Sequence, residues 1–144
     1  MQSIFGFYPT TDFSLNDKII YLRAVAHSAS SDGFSDEEKE VFYLLSDNFG
    51  VARDVSENIA KNPDFDLNQF QGKEVFKVFA PFLLRDCSAV SFGDYELSDE
   101  ERQVILALGE ELMINKIITE DIINAVINQM NAFKLWSGVI RVGV

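Results

Sequence analysis

Apolar residues recur at helical spacing along most of the chain. Ser14 with Asp17 reads as a capping box, and Leu15, Ile19, Leu22, Ala26 and Ala29 carry a first helix to about Ser31. Val41, Leu44, Leu45 and Phe49 form the buried stripe of a second helix, which Gly50 ends. A short helix over Arg53–Lys61 stops at Asn62-Pro63, and Asp64–Gly72 reads as a connector with a helical turn after Asn68. Lys73–Val90 carries Val75, Phe76, Val78, Phe79, Phe82, Leu83 and Leu84, apolar round most of its circumference, which predicts a central buried helix. Pro81 is expected to kink or split it. A fifth helix starts at Ser98 and buries Val104, Ile105, Leu108 and Leu112. The last, over about 120–137, is capped by Thr119 and turns Ile122, Ile123, Val126, Ile127, Met130 and Phe133 to the core. Gly138 ends it, leaving an apolar tail in which VIRVGV is the one weak strand signal. The pattern predicts an all-α fold: one domain over residues 1–144, a helical bundle of about six or seven helices.

Two stretches within this pattern echo each other. Asp32–Lys39 reads DGFSDEEK and Asp94–Arg102 reads DYELSDEER. Each follows a helix rich in small residues, with His27-Ser28-Ala29 matching Cys87-Ser88-Ala89. This predicts a duplicated helix–acidic turn–helix unit over about 15–50 and 74–115. Ser35 and Ser98 are good N-caps, and Glu38 and Glu101 complete capping boxes. Asp36, Glu37, Asp99 and Glu100 fall in first turns, where the helix dipole favours carboxylates. The acids are thus explained by folding alone, and any site built from them has to improve on that account.

Charge narrows the functions. A formal net charge of -11 argues against nucleic-acid binding and favours cations, basic protein surfaces or plain solubility. One Cys permits no internal disulfide, and the N-terminus carries no basic region followed by an apolar run, so a cytoplasmic protein is expected.

At the two acidic turns the sequence resembles the tellurite-resistance TerB-like family, marked by a duplicated unit of helix, Ala-Asp-Gly-Glu-hydrophobic-Ser-x-x-Glu turn, helix. LLRDCSAVSFGDYELSDEE over Leu83–Glu101 matches that register without a gap. LRAVAHSASSDGFSDEE over Leu22–Glu38 matches with one turn residue missing. The resemblance implies a compact, non-enzymatic helical module with a divalent-metal site in the two turns. It also implies a role in tellurite resistance or stress response through protein partners, at the membrane surface in some such systems. By position, Asp32 and Asp94 take the turn Asp, Glu38 and Glu101 the Glu after Ser, and Glu96 the middle Glu that the first turn lacks. Tyr95 stands where the family has Gly.

If the two units pair about a pseudo-two-fold axis, Asp32, Glu38, Asp94 and Glu101 converge, and such a cluster repels itself without a cation. Carboxylate oxygens suit Ca²⁺ or Mg²⁺ better than Zn²⁺. An EF-hand is excluded by spacing, because Lys39 would fall on its bidentate Glu. His27 and Cys87 align in the repeat but are too few ligands for zinc, and are expected on packed faces. Arg85-Asp86 is expected to be a structural ion pair. No nucleophile elbow, P-loop or dinucleotide fingerprint is present, and a metal-dependent hydrolase would lack a dedicated base. The alternative function is a pure protein-interaction domain whose acids are caps and a docking face. Phe5, Phe7, Tyr8 and Trp136 near the chain's ends are expected to seal the core, with docking of a partner or formation of a homodimer as the other reading.

Overall fold

A computed structural model describes residues 8–9 and 12–142, with side chains through 138. Its elements are α1 (Leu15–Ala29), α2 (Asp36–Asn48), α3 (Arg53–Lys61), a 3₁₀ turn (Leu67–Phe70), α4 (Val75–Ser91), α5 (Asp99–Glu111) and α6 (Lys116–Val142). Among the described residues there are six α-helices and no strand, only an isolated bridge between Ser31 and Gly33. No described helix is long and apolar enough to cross a membrane.

The centre is α4, which touches α1, α2, α5 and α6. Its C-terminal half is buried on all sides from Leu83 to Ser91 apart from Arg85, as an all-round apolar sequence requires. Pro81 lies inside α4, yet the helix is not split in two. Proline removes one N–H, but this one lies on an exposed position, where water can satisfy the carbonyl left over. Towards their C-termini α1 and α4 bury small residues, Ala26, Ser28 and Ala29 on one and Ser88, Ala89 and Ser91 on the other. The buried hydroxyls of Ser28 and Ser88 donate back to the carbonyls of Val25 and Leu84, 2.9 and 2.7 Å away.

Several expected positions shift. In α2 the core side chains are Phe42 and Leu45, while Leu44 is exposed and Val41 half-buried. In α5, Leu106 is buried and Val104 only half-buried. Thr119 is not the cap of α6. Asn115 takes that role, its Oδ1 accepting from the N–H of Ile117 at 2.8 Å, and Thr119 is buried within the helix against Gly109. Gly138 does not end α6, which runs on through it to Val142; its helical backbone is worse than alanine's by only about 1 kcal/mol. The VIRVGV tail is therefore helical as far as it is described. Phe133, expected in the core, is 44% exposed, and Trp136 does not seal the bundle. Phe5 and Phe7 lie outside the described residues. Tyr8 does close on the core, its ring 5.1 Å from Phe49 and 6.0 Å from Phe82.

Two backbone positions bear on the stability of this frame. A Cβ on Gly93 would stand 2.9 Å from Glu38 Cα and 3.0 Å from the Val90 carbonyl oxygen, contacts with backbone that cannot swing aside. Gly93→Ala is therefore expected to destabilise by about 1–3 kcal/mol in urea unfolding. Met113, just after α5, has φ +64° and a largely exposed side chain. Met113→Gly is expected to stabilise by about 1 kcal/mol in the same assay, because glycine adopts this conformation without steric cost.

Candidate functional site

The two acidic turns have nearly the same local geometry at their helix starts. Ser35 and Ser98 have φ/ψ of -68°/161° and -73°/161°, and each accepts from the backbone N–H of its glutamate. Glu38 Oε1 in turn accepts from Ser35 N–H at 2.8 Å, and Glu101 Oε1 from Ser98 N–H at 3.0 Å. Of the three capping boxes expected from the sequence, these two are formed; at the start of α1, Ser14 accepts from Asp17 N–H, but the Asp17 carboxylate pairs with Lys73 at 3.0 Å instead of reaching back to the cap. Ahead of the caps the turns differ. The first passes through Gly33 at φ 109°, whereas the second uses Tyr95 at φ 64°. A tyrosine in the left-handed region carries strain. Here its ring stacks edge-on against Phe92, with centroids 5.6 Å apart, and lies 4.4 Å beneath the Lys134 ammonium.

The close approach of α2 to Gly93 brings the two boxes together. Glu38 and Glu101 are each only 2% exposed. Glu101 Oε2 is buried and meets no hydrogen-bond donor. The Glu38 carboxyl is among the groups that raise its proton affinity. Around them opens a hollow of about 410 Å³ lined by Asp32, Asp94, Glu96, Leu97, Ser98 and Glu101. Asp94 Oδ1 accepts from Glu96 N–H at 3.1 Å, which holds the second turn closed. All five acids named from the sequence thus meet at one place, four lining the hollow and Glu38 behind it against Glu101. Among the described residues, however, no three His, Cys, Asp or Glu side chains are already arranged to hold a metal ion.

Electrostatics follow from burial and crowding. Burial and the carboxyls of Glu38 and Asp32 push Glu101 up to about 8. Burial also raises Glu38, and Asp94 adds to the rise. Burial and the neighbouring carboxyls thus favour the protonated form of Glu101 near neutrality. A carboxyl so placed can do two things: hold a proton, or exchange it for a cation that satisfies the orphaned oxygen. The donors are all hard oxygens, which fit Ca²⁺ or Mg²⁺.

A second buried acid was legible in the sequence only as half of an ion pair. Asp86 is fully buried on α4 and accepts from Tyr21 Oη at 2.5 Å, from Tyr8 Oη at 2.8 Å and from Arg85 Nε at 3.1 Å. Burial lifts it to about 6 despite Arg85 and the two phenols. Nothing in the local sequence signals that Tyr8 and Tyr21 converge there. The arrangement is a structural clasp between the N-terminal segment, α1 and α4. His27 and Cys87 form no common site. His27 Nδ1 lies 3.3 Å from the Pro63 carbonyl oxygen, and Cys87 is a buried thiol pushed up to about 12 by desolvation, with no nucleophilic character at neutral pH.

No protein-family model, curated protein or solved structure matches the chain.

The two raised carboxyls set a direction for stability against pH. Glu101 and Asp86 bind protons more tightly folded than unfolded, so the unfolded chain releases them first as pH rises. Their contribution is fully present below about pH 4 and is lost as pH climbs to about 6 for Asp86 and about 8 for Glu101. In chelator, the melting temperature is expected to fall between pH 5 and 8. Glu101→Gln keeps an oxygen for the cap and replaces the titrating carboxyl with an amide. It should flatten the upper part of that slope and raise the melting temperature at pH 8. An unchanged slope would refute the raised carboxyl at Glu101.

Proposed function

We propose that the protein is a non-enzymatic divalent-cation-binding helical module of the TerB-like kind, working with protein partners in the cytoplasm. The observation that carries the reading is Glu101 Oε2, a buried carboxylate oxygen without a donor, set against Glu38 beside the hollow walled by Asp32, Asp94 and Glu96. A buried oxygen left without a partner costs about 1–3 kcal/mol, and more if charged, so it has a physical reason to take a proton or a metal. Asp32, Asp94, Glu96 and Glu101 would hold the ion, with Glu101 giving up its proton. The capping boxes fix one oxygen of each glutamate on a backbone N–H, and Glu101 itself lines the hollow. Binding requires these carboxylates to rearrange, because among the described residues no ligand set stands formed beforehand. A role in tellurite resistance or another stress response rests on the resemblance of the two turns alone. Catalysis has no support from these groups: every candidate base is also a candidate ligand.

A specific observation favours a second reading. Both glutamates already satisfy caps, and a proton alone can quiet the pair. The acids would then form a capping and docking surface for a basic partner, with no metal.

Calorimetric titration of chelator-stripped protein with Ca²⁺, Mg²⁺, Mn²⁺ and Zn²⁺ separates the two. The expected result is saturable, stoichiometric binding of Ca²⁺ or Mg²⁺ that raises the melting temperature by mass action. Asp32→Asn with Asp94→Asn should weaken it by at least about tenfold while the helical content is kept, since charge count sets the affinity of oxygen sites. Binding that never saturates and fades with salt, or an unaltered affinity in the double variant, would leave the docking surface as the function.

A further inference from the structure

The two acidic turns follow one backbone plan with different residues at its tightest point. Gly33 and Tyr95 each come directly after the turn aspartate and donate their N–H to the residue that caps the preceding helix. Gly33 reaches the Ser30 carbonyl at 3.1 Å and Tyr95 the Phe92 carbonyl at 2.9 Å. Both stand at positive φ, 109° and 64°. Glycine takes this region without steric cost, and a residue with a bulky ring does not. The first turn shows that the backbone needs no side chain here, so a strained tyrosine in the second has to be held by its surroundings. Its ring is held from two sides. Phe92 meets it edge-on, and Lys134, from the C-terminal part of α6, sets its ammonium 4.4 Å from the ring centre. Residues 131–138 around Lys134 are all exposed.

Tyr95 also stands between two walls of the acidic hollow. Asp94 and Glu96 both line it, and Asp94 Oδ1 accepts from the Glu96 N–H at 3.1 Å, a bond that closes the turn across Tyr95. An Asp94 carboxylate that leaves this N–H for an ion removes the bond. The strained residue can then relax towards negative φ, which draws its ring from beneath Lys134. We infer that the Tyr95–Lys134 contact is a latch: it holds the second acidic turn closed, and an ion taken into the hollow releases the C-terminal end of α6. The latch presupposes the cation site proposed above and regulates it.

Linkage sets the sign and the size of the effect. A contact made only while the turn is closed opposes binding by the factor it is worth, and binding weakens the contact by that same factor. An exposed ammonium over an aromatic ring is worth about two- to fivefold in an equilibrium constant. Lys134 is also a positive charge, and its removal by itself favours a cation. In about 0.15 M salt that field is screened beyond about 8 Å, and unlike the latch it does not depend on the tyrosine ring. Substituting both residues, singly and together, therefore separates the two causes.

The test is calorimetric titration of the full, chelator-stripped chain with Ca²⁺ in about 0.15 M salt. Lys134→Met, at an exposed position, should tighten binding about two- to fivefold in the wild-type chain and leave the affinity of Tyr95→Gly unchanged. Tyr95→Phe keeps the ring and should keep the wild-type affinity. In the wild-type chain, saturating Ca²⁺ should speed amide hydrogen exchange over residues 131–138, and in Tyr95→Gly that exchange should be fast with or without the ion. The latch is overturned if Lys134→Met tightens both backgrounds equally, since charge alone then acts, or if it changes neither. Exchange over 131–138 that ignores the ion, or a Tyr95→Phe chain that behaves as Tyr95→Gly, overturns it too. Any of these results, obtained with saturable Ca²⁺ binding, removes the latch and leaves the cation site standing. A wild-type chain without saturable binding overturns both.

Discussion

Everything in the bundle answers to one constraint: the C-terminal half of α4 is apolar on every side and has to be enclosed. Four helices do this, and the enclosure brings the C-terminal ends of α1 and α4 to the same end of the molecule, with Asp32 and Asp94 walling one hollow. Small residues on both helices let them approach closely there. Gly93 then admits the backbone of α2 to within a distance that no side chain would tolerate. Two capping boxes, each an ordinary local device, are pressed together as a result.

That pressing changes the chemistry of the glutamates. A capping-box glutamate on a surface helix keeps its second oxygen in water. Here the second oxygen of Glu101 is buried against another carboxyl, and a folding signal becomes a pair that must hold a proton or a cation. Asp86, on α4, shows the opposite solution. Tyr8, Tyr21 and Arg85 all donate to it, and the buried acid serves as a clasp rather than a site. The difference lies in the supply of donors.

The long last helix changes character along its length. Up to Met130 it closes the core against α4 and α5. Beyond it Lys134 reaches the Tyr95 ring, while Leu135 and Trp136 stand exposed. Tyr95, held at positive φ, joins this helix to the acidic end through Lys134. The strained position in the second turn is thus packed from two sides rather than left to glycine.

Periodicity, caps and turn residues were enough to reveal an all-helical chain, most helix limits and the capping boxes at Ser35 and Ser98, whereas the five acids of the candidate site came from the resemblance of the two turns. These are local properties: a cap needs only its neighbours, and a buried stripe shows itself through spacing. Where the reading slipped, a packing partner had decided. Phe42 rather than Val41 or Leu44 faces the core because of how α2 is rotated against its neighbours. Thr119 is interior because Gly109 leaves room for it, so Asn115 becomes the cap. Pro81 leaves α4 in one piece because the side it occupies faces water. Phe133 and Trp136 are exposed because the core side of α6, marked by Ile123, Val126 and Met130, continues into Lys134 rather than into them. That Glu38 and Glu101 are both buried and raised, and that two tyrosines far apart in sequence meet on Asp86, belongs to the tertiary structure alone. Burial and distance between remote segments set those charges, and neither is written in any local stretch of the chain.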